Sequence, residues 1–185
     1  MSPSNNYFLS GSFELSQYGL QGSLLILIIS IFISMFFAAT YQKDFFFRAE
    51  ISAIYLITIS GLLILISSQD FITIFIGIEM SSIGLYALVG YVATQRTSLE
   101  GAIKYLILGA LSTGLFLFGI GLIYASCKSL NLSEIKSAIP FVTDSFWFKA
   151  GSLLILSSLG FKLALVPFHM WSPDVYQAAP SGITA

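Results

Sequence analysis

Cysteine and histidine each occur once in the 185 residues, as Cys127 and His169. A single cysteine excludes a disulfide framework, and the pair is too few to build an iron-sulfur or cysteine-rich zinc site within the chain. Charge is equally scarce: 9% of residues are charged and the net charge is -1, where an ordinary soluble domain carries about 25% charged residues. With no basic block and no acidic tail, neither nucleic acid nor a charged membrane surface is indicated as a partner. No P-loop, dinucleotide fingerprint, HExxH helix or serine-hydrolase elbow occurs. Met1 to Gly19, the polar N-terminal segment, contains Glu14 and no Lys or Arg, unlike a secretory signal or a transit peptide. The expectation is a protein inserted where it is made, and the heavy use of Phe and Ile suits an A/T-rich organelle genome.

What is abundant is apolar side chain, 56% of the residues. It is gathered into runs of membrane-spanning length: Leu20 to Thr40, Ile51 to Ser67, Phe71 to Ala93, Ala102 to Ser126, and Trp147 to Val166 with a break near Pro167. The predicted fold is all-α, a polytopic transmembrane bundle of about five spans. Residues 1-185 form one membrane domain with no room for a separate soluble one. Only Ser68, Gln69 and Asp70 separate the second and third spans, so those helices are antiparallel neighbours, and Asp70 is placed to cap the third. Thr97 and Glu100 have capping-box spacing, which starts the fourth helix near Ser98. The connection Cys127 to Phe146 reads as a short surface helix or loop that Pro140 ends. Basic residues Lys43, Arg48 and Arg96, set against Lys128 and Lys136, place the N-terminus outside and the C-terminal segment inside.

Glu79 lies inside an apolar run, roughly 12 Å from its nearer end at helical rise, too deep for a short side chain to reach water. A charge at bilayer depth costs about 2.5 to 3.5 kcal/mol on insertion scales, so it faces a partner or a hydrated cavity. Ser82 and Tyr86 follow at i+3 and i+7 and form a narrow polar stripe with it. Its partner is expected to be Lys162, and the other reading is a static glutamate bonded to neighbouring hydroxyls. Lys162 snorkels to the interface if its helix stops at Pro167 and lies near mid-membrane if the chain continues to Trp171. Pro167 either breaks the span, freeing a carbonyl about one turn back, or simply ends it. His169 is a candidate proton relay or an interfacial hydrogen-bonding residue. Lys104, four residues after Glu100, fits a surface i,i+4 pair. Gly77 with Ser81, and Ala110 with Gly114, have the small-xxx-small spacing of close helix packing.

Three motifs carry a family resemblance over about Arg48 to the end: Ile76-Gly-Ile-Glu-Met-Ser-Ser82, Ser98-Leu-Glu-Gly-Ala-Ile-Lys-Tyr-Leu-Ile-Leu-Gly-Ala-Leu-Ser112, and Gly160-Phe-Lys-Leu-Ala-Leu-Val-Pro-Phe-His-Met-Trp-Ser-Pro-Asp-Val-Tyr176, followed by Ala179-Pro180 and Thr184-Ala185. In this order they resemble the antiporter-like membrane subunits of respiratory complex I, NADH:ubiquinone oxidoreductase, in its subunit 2 family. The family pattern has Gly before Ala-Pro and a second Pro soon after, where this chain has Ala178 and Gly182.

The resemblance implies a non-redox subunit of a proton-translocating NADH:ubiquinone reductase, without independent catalysis. It implies that Glu79 is the central carboxylate, Lys162 the lysine on the broken helix, and Lys104 a further lysine along a hydrated charge axis. It places NADH, FMN, iron-sulfur clusters and ubiquinone elsewhere in the complex, with no cofactor or metal on this chain. Implied partners are other membrane-arm subunits, lipids, and a second polypeptide completing a split subunit, because the first helix resembles the family's third and a further lysine-bearing helix is expected after Ala185; the alternative is that the chain is a fragment. The implied location is the mitochondrial inner membrane, with the bacterial plasma membrane as alternative. A cation/proton antiporter without a link to NADH oxidation, and a structural assembly subunit, are the competing classes.

Overall fold

A computed structural model describes residues 6-40, 45-91, 96-179 and 181-184. The chain opens with a small antiparallel hairpin, β1 (Asn6–Phe8) and β2 (Phe13–Leu15), paired Asn6 to Leu15 and Phe8 to Phe13. Long helices follow: α1 (Gln17–Thr40), α2 (Phe45–Ser67), α3 (Phe71–Val89) and α4 (Arg96–Cys127). Then come α5 (Leu132–Val142), α6 (Phe146–Lys162), a 3-10 turn at Phe168–Trp171, α7 (Ser172–Ala178) and a final turn α8 (Ser181–Thr184). Among the described residues, α1 to α4 are long and apolar enough to cross a membrane. The helical membrane bundle is therefore as expected, with the hairpin as its one departure from all-α. Lys43, Pro180 and Ala185 lie outside the described residues.

The fifth expected span, Trp147 to Val166, is not one continuous helix. α6 has 17 residues, about 26 Å at helical rise, and the chain continues beyond it in the same direction. Gly151 packs on Gly119, Ser158 bonds Ser112, Trp171 stacks on Tyr105, and Ala178 lies against Gly101. Residue numbers on α4 fall steadily as those of its partner rise, so α6, the break and α7 together run antiparallel along nearly the whole of α4.

Close approach of backbones holds the two main helix pairs. A Cβ on Gly77 would lie 2.8 Å from the Leu65 amide nitrogen and 2.9 Å from the Gly61 carbonyl oxygen, and one on Gly151 would lie 2.8 Å from the Gly119 oxygen. Lipid tails are as apolar as leucine, so such contact, rather than exclusion from water, drives helix association in a bilayer. The Gly77-Ser81 spacing serves α2, as expected. Ala110 and Gly114 do not serve any described helix: both are exposed, and a Cβ on Gly114 meets open space.

Two more local expectations fail for identifiable reasons. Pro140 sits inside α5, which continues to Val142; the helix is short and buries chiefly Ile135, in a cluster with Phe116, Ile120, Ile123 and Ile155, so packing outweighs the lost backbone bond. Thr97 does not start α4, which begins at Arg96. The buried Ser98 hydroxyl instead donates to the Val89 carbonyl at 2.6 Å, tying the start of α4 to the end of α3, while Glu100 turns to Lys104. Asp70 does cap α3, accepting from the Thr73 amide at 2.8 Å. The hairpin, the α2-α3 link and the α4-α5 link meet at one end: the Gln69 amide donates to Ser12 and its carbonyl accepts from Leu132, both at 2.9 Å.

Gly77→Ala should lower the thermal midpoint of the detergent-solubilised protein, corresponding to a loss of about 1 to 3 kcal/mol from overpacking. Gly114→Ala, made on the open face, should leave the midpoint unchanged.

Candidate functional site

Glu79 stands at the middle of α3 and Lys162 is the last residue of α6. The Lys162 ammonium donates to Glu79 Oε1 at 3.1 Å and to Ser82 Oγ at 2.9 Å. Thr113 of α4 donates to the same Glu79 oxygen at 2.6 Å. The lysine and glutamate side chains are 17% and 23% exposed. Three helices thus contribute to one ion pair. The depth follows from α4: Ser158, one turn before Lys162, is buried, and the Ser112 hydroxyl lies 3.0 Å from both its carbonyl and its hydroxyl, and Ser112 lies at the middle of α4. Lys162 is therefore at mid-bundle and does not snorkel.

The break that leaves Lys162 there is made upstream of Pro167. The Ala164 amide donates to the Phe161 carbonyl at 3.0 Å and the Leu165 amide to the Gly160 carbonyl at 2.8 Å, the paired bonds of a Schellman C-cap. Ala164 occupies the left-handed position, with φ of 50°, where a residue with a Cβ is disfavoured by roughly 1 to 2 kcal/mol. Pro167 comes three residues later, before the 3-10 turn. The expected break is present, but the helix has already ended at Lys162, so the proline does not cause it by withholding a donor.

The remaining candidates separate. Lys104 does not join the pair: it bridges Glu100 and Asp174, each at 3.0 Å, and is 46% exposed. The i,i+4 reading is what forms, extended by Asp174 on α7. His169 lies beside the break with its Nδ1 buried and unpartnered among the described residues; its carbonyl accepts from Ser172 at 3.1 Å. Sequence reasoning passes over Thr113 and Ser112. The available signal was two adjacent hydroxyls in the middle of an apolar run, which an ordinary membrane helix hides by bonding them to its own backbone.

An ion pair among apolar helices is tolerated where its charges hold each other and meet protein or water. A family profile described as "NADH:quinone oxidoreductase/Mrp antiporter, TM" matches residues 68-185. The match covers more than half of the chain, which belongs to this family. Among curated relatives, NADH-quinone oxidoreductase subunit N of Hydrogenovibrio crunogenus is 35% identical over 175 residues, covering 94% of this chain and 37% of the relative. Subunit N 1 of Aquifex aeolicus is 37% identical over 173 residues, covering 94% and 36%. A solved structure of respiratory complex I from Thermus thermophilus with bound aureothin contains a chain 29% identical, with TM-score 0.74, over 95% of this chain and 38% of its own. An archaeal membrane-bound sulfane sulfur reductase has TM-score 0.82 at 24% identity, covering 98% and 37%, and shows the fold alone. The chain spans little more than a third of the length of these relatives. They are bacterial and archaeal, so they support a multi-pass membrane protein but not the mitochondrial location.

Lys162→Met should strand the Glu79 carboxylate and destabilise the bundle by about 3 kcal/mol, and adding Glu79→Gln should recover most of that loss in a double-mutant cycle of thermal unfolding. Ala164→Gly should raise stability in the same assay by up to about 1 kcal/mol, by relieving the left-handed alanine.

Proposed function

We propose that the chain is part of a membrane-arm, antiporter-like subunit of a proton-pumping NADH:quinone oxidoreductase and contributes a Glu/Lys half-channel to it. The contact between Glu79 and Lys162 at mid-bundle carries this reading, and the family membership supports it. The chemistry follows from electrostatics. While Glu79 lies 3.1 Å away, its negative charge holds the proton on Lys162; when the two separate, the ammonium loses that stabilisation and releases its proton. The half-helix ending at Lys162 gives the pair a place to move, because the residues after it are joined by a cap rather than by a continuous helix.

In this reading quinone reduction elsewhere in the complex drives the opening and closing of the pair, and this chain carries no redox group. NADH, FMN, iron-sulfur clusters and quinone belong to other subunits. The rest of the relatives' length, in this or a second polypeptide, completes the channel, and neighbouring membrane-arm subunits and lipids cover its outer face. The membrane is an energy-coupling one, a bacterial plasma membrane or a mitochondrial inner membrane. Pro167 and His169 belong to the capped segment beside the pair, and His169 is the candidate to pass protons to it. Lys104 lies further along the same charge axis.

Glu79→Gln in the intact complex should leave assembly unchanged on a native gel while the rate of proton pumping into sealed vesicles falls on the order of tenfold or more. Pumping at the wild-type rate would instead mark the chain as a scaffold.

A further inference from the structure

The turn of α6 that ends at Lys162 is held from beyond the break. Trp171, the last residue of the 3-10 turn, is buried, and its indole Nε1 donates to the Phe161 carbonyl at 3.0 Å. Phe161 is one of the terminal residues of α6, whose carbonyls have no partner within the helix. Its oxygen has two lone pairs: one meets the Ala164 amide of the cap and the other the indole. That carbonyl belongs to the peptide unit joining Phe161 to Lys162. Because a peptide unit is planar, the indole bond fixes the direction of the lysine's own backbone nitrogen as well.

The indole is in turn anchored to α4. It stacks on Tyr105 with ring centroids 4.7 Å apart and planes 10° from parallel, and on Phe161 at 5.5 Å and 26°. It also packs with Val89 of α3 and Val175 of α7. Phe168, at the start of the same 3-10 turn, lies against Gly160, where a Cβ would come 3.3 Å from its ring. The 3-10 turn is thus folded back on the final turn of α6 and tied to α4. Helix ends fray unless their free carbonyls find partners. Lys162 sits at such an end, yet its ammonium must reach Glu79 and Ser82 at 3.1 and 2.9 Å.

We infer that Trp171 is the positioning residue for Lys162: its indole N–H, anchored to α4 through Tyr105, holds the Phe161-Lys162 peptide so that the ammonium meets Glu79. It acts through the lysine and takes no part in proton transfer itself. Its consequence for pumping rests on the half-channel reading above. There Trp171 sets the closed state of the pair, and a displacement of the 3-10 turn is passed to Lys162 through this one bond.

The test is Trp171→Phe, which keeps an aromatic ring beside Tyr105 and removes the donor. How closely the ion pair is held is read from the non-additivity of Lys162→Met and Glu79→Gln in the thermal midpoint of the detergent-solubilised chain. In the Trp171→Phe background that non-additivity should fall to about half its wild-type value. A tryptophan that only fills space lowers every midpoint alike and leaves the non-additivity unchanged, which overturns the inference. In the intact complex Trp171→Phe should slow proton pumping into sealed vesicles on the order of tenfold, with normal assembly on a native gel; pumping at the wild-type rate overturns the inference too. Should Trp171→Phe fail to fold, benzothienylalanine at position 171 keeps the indole outline, puts sulfur in place of N–H, and is read in the same two ways. Glu79→Gln in the complex separates the two proposals. If it pumps normally, the half-channel reading falls and this inference with it, whereas pumping lost there but intact in Trp171→Phe removes the tryptophan's role alone.

Discussion

An ammonium and a carboxylate placed in hydrocarbon are tolerable only where they hold each other and their remaining bonding capacity is filled by protein or water. The Lys162-Glu79 contact meets that condition with two hydroxyls, Thr113 on the acid and Ser82 on the base. Much of the surrounding architecture follows from the need to bring these four groups together. Three helices must meet at one depth, one of them must end there, and their backbones must come close enough for short side chains to reach across.

Small residues provide the approach. Gly61 with Gly77, and Gly119 with Gly151, bring α2 to α3 and α4 to α6 at backbone contact, and the buried Ser112-Ser158 pair fixes the height of α6 against α4. The break after Lys162 has two effects at once. It leaves the lysine at the end of a helix, within reach of Glu79 and Ser82, and it lets the following segment reach the far end of α4 through Trp171 and Val175, which pack with Val89.

Much of this was legible in the chain itself. Long apolar runs must become helices in a bilayer, because no other local structure satisfies its own backbone there, and a carboxylate in such a run needs a cation. Asp70 caps α3 because its side chain can reach a nearby free amide. The illegible parts depend on contacts distant in sequence. Pro140 is carried within α5 by the packing of Ile135, Ser98 is claimed by a carbonyl on the preceding helix, and Ala110 and Gly114 turn to the side that no described helix occupies.

The sequence alone determined that the chain is a membrane bundle, where most of its helices run, and that Glu79 requires a buried partner, since these follow from hydropathy and the energy of an isolated charge. Tertiary structure decided that Lys162 reaches it and Lys104 does not. Lys162 was the expected partner, but both lysines are long and flexible, and whether it snorkels or stays at the depth of the acid depends on where its helix ends. That was settled by an alanine in the left-handed conformation, which stops α6 at mid-bundle, and by Glu100 and Asp174, which hold Lys104 near the end of α4.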